Sequence, residues 1–167
     1  MDLPGYDLPE AVKEKSAYEL ISTAALNRLI DNHQDVLGLL PDTDEATSRA
    51  YFRVLLSAGD PTAREIAETL GHNLAYLLLT LHRGDAINRE ARSEWDDSHW
   101  AYWQRIKKVY IAGGLLNGET GNVIVRKARA LLQQEIPDYN IDVAMHPPHL
   151  ALIGAARYVT TELTTHV

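Results

Sequence analysis

At 167 residues the chain is sized for one domain with a sizeable core. Its lack of cysteine excludes disulfides, thiolate metal sites and a cysteine nucleophile, and its net charge of −7 argues against broad electrostatic binding of nucleic acid. No apolar run approaches a membrane span, and the acidic start MDLPGYDLPE has neither the basic flank nor the apolar stretch of a secretory signal, so a cytoplasmic protein with no membrane partner is expected.

Residues 1–9, with Pro4, Gly5 and Pro9, read as an irregular lead-in. From about Pro9 to His33 the pattern is helical, with Tyr18, Ile21, Ala25, Leu26 and Leu29 on one face. A break over 37–43 precedes a helix near 44–58, capped by Asp42 or Thr43 and turning Tyr51, Val54 and Leu55 inward. In AGDPT, Gly59 ends that helix, Asp60 caps the next and Pro61 takes its first position. The helix from Pro61 to about His82 is apolar almost all round at LAYLLLTL, which predicts a central, buried element.

Residues 83–94 are polar and read as an insertion, either a loop or a solvated helical extension. The Arg83-Gly84-Asp85 triplet within it is a chance match to an adhesion motif. WDDSHWAYWQRI follows, with Trp95, His99, Tyr102 and Ile106 at helical spacing. The first strand is expected at Val109–Ala112, a helix at about 120–135, a second strand at Ile141–Met145 and a last helix at about 150–163. Two strands joined through a helix are parallel with a right-handed crossover. Two short parallel strands make a poor sheet, so further strands are expected from within the chain, from another chain or from a segment elsewhere.

The stretch VYIAGGLLNGETG carries the candidate site. Gly113 and Gly114 lack Cβ atoms, so the backbone is free to take a positive φ and a ligand is free to approach it. The helix starting near Glu119 or Thr120 presents free N–H groups beside them. The pattern is neither G-x-G-x-x-G nor a P-loop. Taken locally it reads as a nucleotide-contacting turn or as a plain strand-to-helix turn. His146 and His149 flank Pro-Pro, where helical ligand spacing does not apply and no third ligand is evident; they read as a rigid loop, with no metal site assigned. Asp96, Asp97 and His99 read as a helix cap facing water. Trp95, Trp100 and Trp103 cannot share one narrow helix face, and mark either an interface or a cluster over the core.

In combination these segments resemble the C-terminal lobe of the ROK family, bacterial sugar kinases and related repressors with the actin-like ATPase (ribonuclease H-like) fold. The likeness rests on Gly59-Asp60 with Ala63 before a long helix, Ile111-Ala112-Gly113-Gly114 at a strand end, Gly154-Ala155-Ala156 in the last helix, and SAYELISTAAL over 16–26. It covers nearly the whole chain in the family's order. It implies an α/β, predominantly helical fold with a small parallel sheet in a single domain over 1–167. It also implies that Gly113, Gly114, Leu115 and Leu116 contact the adenosine of ATP, with Mg²⁺ entering in a complete protein.

The departures are specific. The family's N-terminal lobe, with its phosphate loop and catalytic aspartate, has no counterpart, and neither has its zinc loop. Tyr18 stands where the family has a sugar-contacting glutamate, with Glu19 beside it. No catalytic residue is assigned. The resemblance implies half of a sugar kinase, binding a nucleotide and associating as a homodimer or with a complementary N-terminal lobe. The alternatives are a non-catalytic regulatory or dimerisation module of the same origin, and an unrelated helical interaction domain.

Overall fold

A computed structural model describes residues 2–144. The expectations for His146, His149, the helix over 150–163 and Gly154-Ala155-Ala156 lie outside them. Over the described residues the fold is mostly helical, with one two-stranded parallel sheet.

The N-terminal helical stretch is broken rather than continuous. After a lead-in without regular structure come α1 (Ala17–Leu20), α2 (Thr23–Asn32) and α3 (Gln34–Leu37). Ser16 and Glu19 form a reciprocal capping box at α1, and the Ser22 side chain accepts from the Ala25 N–H at the start of α2. The chain is extended at Ser22, between the two. Asn73, buried on a later helix, donates through its side chain to the Leu20 carbonyl at 3.0 Å, satisfying an acceptor that the break leaves free. This tertiary partner is invisible to local periodicity. The lead-in is irregular, yet it inserts Leu3 and Leu8 into the core.

Gly38 closes α3 in the left-handed region, and α4 spans Glu45–Ser57. Asp44 is its cap, accepting from the Ala46 and Thr47 N–H groups, in place of the expected Asp42 or Thr43. The buried face of α4 is Ser48, Phe52 and Leu56, while Tyr51 and Val54 face outward. Both stripes keep the helical period, and docking selected the one centred on Phe52. Polar ties fix that docking: Arg49 donates to the Asn27 side-chain oxygen Oδ1 at 2.9 Å, and the Asn27 side-chain Nδ2 donates to Glu45.

The joint to α5 (Pro61–Arg83) has the expected chemistry, with Gly59 at φ 84°, Asp60 accepting from the Ala63 N–H and Pro61 in the first turn. α5 is the central element. Ile66, Ala67, Leu70, Ala75 and Leu79 are all but inaccessible to solvent. Gly84, left-handed, ends it.

The segment 83–94 carries a helical turn, α6 (Ala86–Glu90), whose Asn88 is buried and exchanges two hydrogen bonds with the Asp2 backbone, at 3.0 and 2.6 Å. α7 (Asp97–Arg105) is capped by Asp96, as expected. It buries Trp100, whereas Tyr102 is exposed. Trp95 lies against Trp100 with ring centroids 5.2 Å apart, and the Arg89 guanidinium sits over the Trp100 ring. The tryptophans Trp95 and Trp100 thus cluster over the core.

β1 (Lys108–Ile111) and β2 (Asn140–Val143) pair in parallel, Lys108 opposite Asn140 and Ile111 opposite Val143. Between them α8 (Gly118–Glu135) packs along α5 and over β2. The α5–α8 crossing is close. A Cβ on Gly71 would lie 2.7 Å from the Lys127 Cβ and 2.8 Å from the Ile124 carbonyl oxygen. Neither obstacle is the free end of a side chain, so Gly71→Ala is expected to lower stability by about 1–3 kcal/mol through overpacking. Urea unfolding followed by circular dichroism measures it.

Candidate functional site

The turn after β1 is built from three glycines with different tasks. Gly113 has φ 139° and ψ 161°, a conformation open almost only to glycine. Its carbonyl accepts from the Leu116 N–H at 3.0 Å, starting a short 3-10 helix over Gly114–Leu116. Gly121, in the first turn of α8, lets that helix press on the turn: a Cβ there would stand 2.0 Å from the Leu116 carbonyl oxygen. Gly113 and Gly114 are not pressed on in this way, since a Cβ on either would meet nothing within 4 Å.

Both glycines line a cavity of about 320 Å³. Its walls are Ile111 to Leu116 of the turn, Leu74 of α5, and Ile21, Ser22 and Thr23 from the α1–α2 junction. The four residues expected to touch a ligand, Gly113, Gly114, Leu115 and Leu116, therefore line one cleft together. Their contributions differ. The two glycines are exposed and offer backbone, Leu115 is half-buried, and Leu116 is buried against the core. The cleft lies beyond the carboxyl end of β1, where α/β sheets receive ligands.

The helix start at this cleft is not the expected one. α8 begins at Gly118, and its first turn is absent from the cavity walls, because the 3-10 helix intervenes. The helix that opens on the cleft is α2, through Ser22 and Thr23. The Ser-Thr pair before AALNRLI is a cap signal, masked in the sequence by apolar spacing that continues across it.

Tyr18 and Glu19 do not join this site. Tyr18 is exposed. Glu19 accepts from the Ser16 N–H at 2.9 Å and from its hydroxyl at 2.8 Å; these bonds hold its carboxyl below the ordinary range and commit it to capping α1. Asp96 is similarly engaged, its carboxylate stabilised first by the Ser98 hydroxyl and then by His99. Asp97 pairs with Arg89 at 2.6 Å. Among the described residues no three His, Asp or Glu side chains converge as metal ligands.

No family model, curated protein or solved structure matches this chain.

The adjacent glycines should respond differently to the same substitution. Gly113→Ala forces a side chain into the mirror-extended region and is expected to cost about 1–3 kcal/mol. Gly114→Ala meets no atom and no positive φ, and should stay within about 0.5 kcal/mol of wild type. Thermal and urea unfolding of both variants test the turn.

Proposed function

We propose that the chain is the adenosine-holding lobe of a ROK-like sugar kinase with the actin-like ATPase fold, acting in the cytoplasm. The observation that carries this reading is the cleft at Gly113 and Gly114, where two missing Cβ atoms open onto a cavity instead of packing under side chains. Support also comes from the order long helix, strand, double glycine, helix, parallel strand.

ATP fits the residues present. Ile21, Leu74 and Ile111 offer apolar surface for a flat base, the glycine backbone permits close approach, and Ser22 and Thr23 offer hydroxyls. When bound, ATP supplies the phosphoryl group, and this lobe binds and orients its adenosine end. Phosphoryl transfer further depends on groups that position metal and phosphates, and none is assigned among these residues. They belong to the complementary N-terminal lobe, and Mg²⁺ enters with it. ATP and ADP should therefore bind the isolated chain, and Gly114→Val, which adds a branched side chain to the cleft wall at a position without a positive φ, should weaken binding at least about tenfold, or ~1.4 kcal/mol. Calorimetric titration of both proteins decides. A coupled assay over a panel of hexoses should show turnover below about 1 s⁻¹, the low end of ordinary enzyme rates.

A second reading, a regulatory or dimerisation module of the same origin, is favoured by the commitment of Glu19 to a helix cap. Both readings include a homodimer through the helices over 44–82 or the tryptophan segment. Val54 on α4 is 63% exposed and Tyr102 on α7 is 66% exposed, which leaves apolar side chains on both surfaces. Light scattering at micromolar protein should return a dimer mass, with an interface above about 1,000 Å² in total.

A further inference from the structure

Of the seven asparagines in the chain, only Asn117 is followed by glycine. The pair Asn117-Gly118 joins the 3-10 helix to α8, one residue beyond the cleft wall at Leu116. Both residues are exposed. Asn117 is the N-cap of α8, a position where an asparagine side chain ordinarily accepts from helix N–H groups. Here it makes no such bond. Among the described residues the Gly118 N–H has no partner either.

These two free groups are the reactants of a five-membered ring closure. The Gly118 nitrogen and the Asn117 Cγ are linked through three carbons, so attack of one on the other is unimolecular. Asn117 is extended, with φ −81° and ψ 140°, so the turn must rotate for the two atoms to meet. That rotation breaks no hydrogen bond of either reacting group. Gly118, at φ 62°, carries no Cβ to crowd the nitrogen, and open space surrounds the position. The other asparagines are held or crowded. Asn27, Asn73 and Asn88 are buried and hydrogen-bonded. After Asn32, the His33 N–H is bonded to the Ile30 carbonyl at 3.0 Å. Asn122 and Asn140 lie in α8 and β2, each before a β-branched residue, Val123 and Ile141.

We propose that Asn117-Gly118 is a self-modifying site, at which the chain deamidates through a cyclic imide with no enzyme or cofactor. The Gly118 nitrogen gives its proton to solvent base and bonds to the Asn117 Cγ. The Cγ–Nδ2 bond breaks, and the amide group leaves as ammonia. Water then opens the imide at either carbonyl. Attack at Cγ leaves aspartate in an ordinary main chain. Attack at the main-chain carbonyl leaves isoaspartate, with the main chain running through Cβ and Cγ. The net reaction consumes one water and releases one ammonia, and nothing is oxidised or reduced.

The two products act oppositely on the turn. Aspartate at 117 gives α8 an anionic cap, where free N–H groups and the helix dipole favour negative charge. Isoaspartate lengthens the main chain between Leu116, which is buried, and Gly121, which leaves no room for a Cβ against the Leu116 carbonyl. The added atom displaces one of the two, and Leu116 is a wall of the cleft. The modification therefore reaches the cleft from a residue outside it.

The test is peptide mapping by mass spectrometry on the whole folded chain, incubated at mildly alkaline pH in heavy-oxygen water. The peptide holding Asn117 should exchange its amide for a labelled oxygen and appear as two isomers of equal mass, one of them a substrate for an isoaspartyl methyltransferase. The rate should lie within about threefold of that in the guanidinium-unfolded chain, because a site that is already open needs no unfolding. Asn122 and Asn140 should react at least about tenfold more slowly in the folded chain than in the unfolded one. Asn117→Ser should remove the change. Asn117→Asp should melt at or above the temperature of the wild type, and the fraction enriched in isoaspartate below it. The proposal is overturned by an unmodified Asn117, by modification confined to the unfolded chain, by label uptake without isoaspartate, or by an Asn117→Asp protein that melts as low as the isoaspartate fraction.

Discussion

The contact between α5 and α8 at Gly71 is the constraint on which the other positions depend. Helix axes ordinarily stand 8–10 Å apart, according to the side chains between them. Here one partner presents no side chain, and the backbone at Ile124 and the stem of Lys127 move into the vacated space. The Lys127 ammonium reaches Glu68 at 2.7 Å, one turn before Gly71, so the pair is fixed along the axes as well as across them. Once α8 is placed, β1 and β2 follow, because the strands are its two connections. The α1–α2 break follows from α5 as well, through Asn73.

The cleft is a consequence of this placement. Strand β1 ends beside α5, and the chain must turn sharply to start α8 on the same side of the sheet. Gly113 supplies a conformation closed to other residues, and Gly121 lets α8 start close against the 3-10 helix. The side of the turn facing α8 is therefore filled. The cavity beside Gly113 and Gly114 is bounded by Ile111, Leu115, Leu74 and the start of α2.

The elements bounded by strong local chemistry were legible from the residues. Gly59, Asp60 and Pro61 mark a helix end, cap and first turn without tertiary help, and the long apolar helix after them is central. The crossover over 108–143 was legible because β-branched strand residues flank an amphipathic run. Legibility failed where two local solutions are nearly equal in energy. On α4 the stripes of Tyr51-Val54 and Phe52-Leu56 both satisfy helical periodicity. Between Pro9 and His33 the apolar spacing survives the break at Ser22, and the carbonyl that the break frees, that of Leu20, accepts from Asn73, more than fifty positions away. Leu3 and Leu8 carry no periodicity, yet both belong to the core.

For the candidate site the division is similar. The sequence by itself determined that a β-branched run is followed by two residues without Cβ atoms, where backbone is free either to be pressed on, as at Gly71 and Gly121, or to stay open, as at Gly113 and Gly114. It also determined the caps at Asp60 and Asp96, because these are bonds between near neighbours. Only the tertiary structure decided which helix start meets the glycines. It brought in α2 through Ser22 and Thr23, set α8 aside behind the 3-10 helix, and closed the cleft with Leu74. Those choices depend on the α5–α8 separation at Gly71, a distance between chain segments that no local pattern contains.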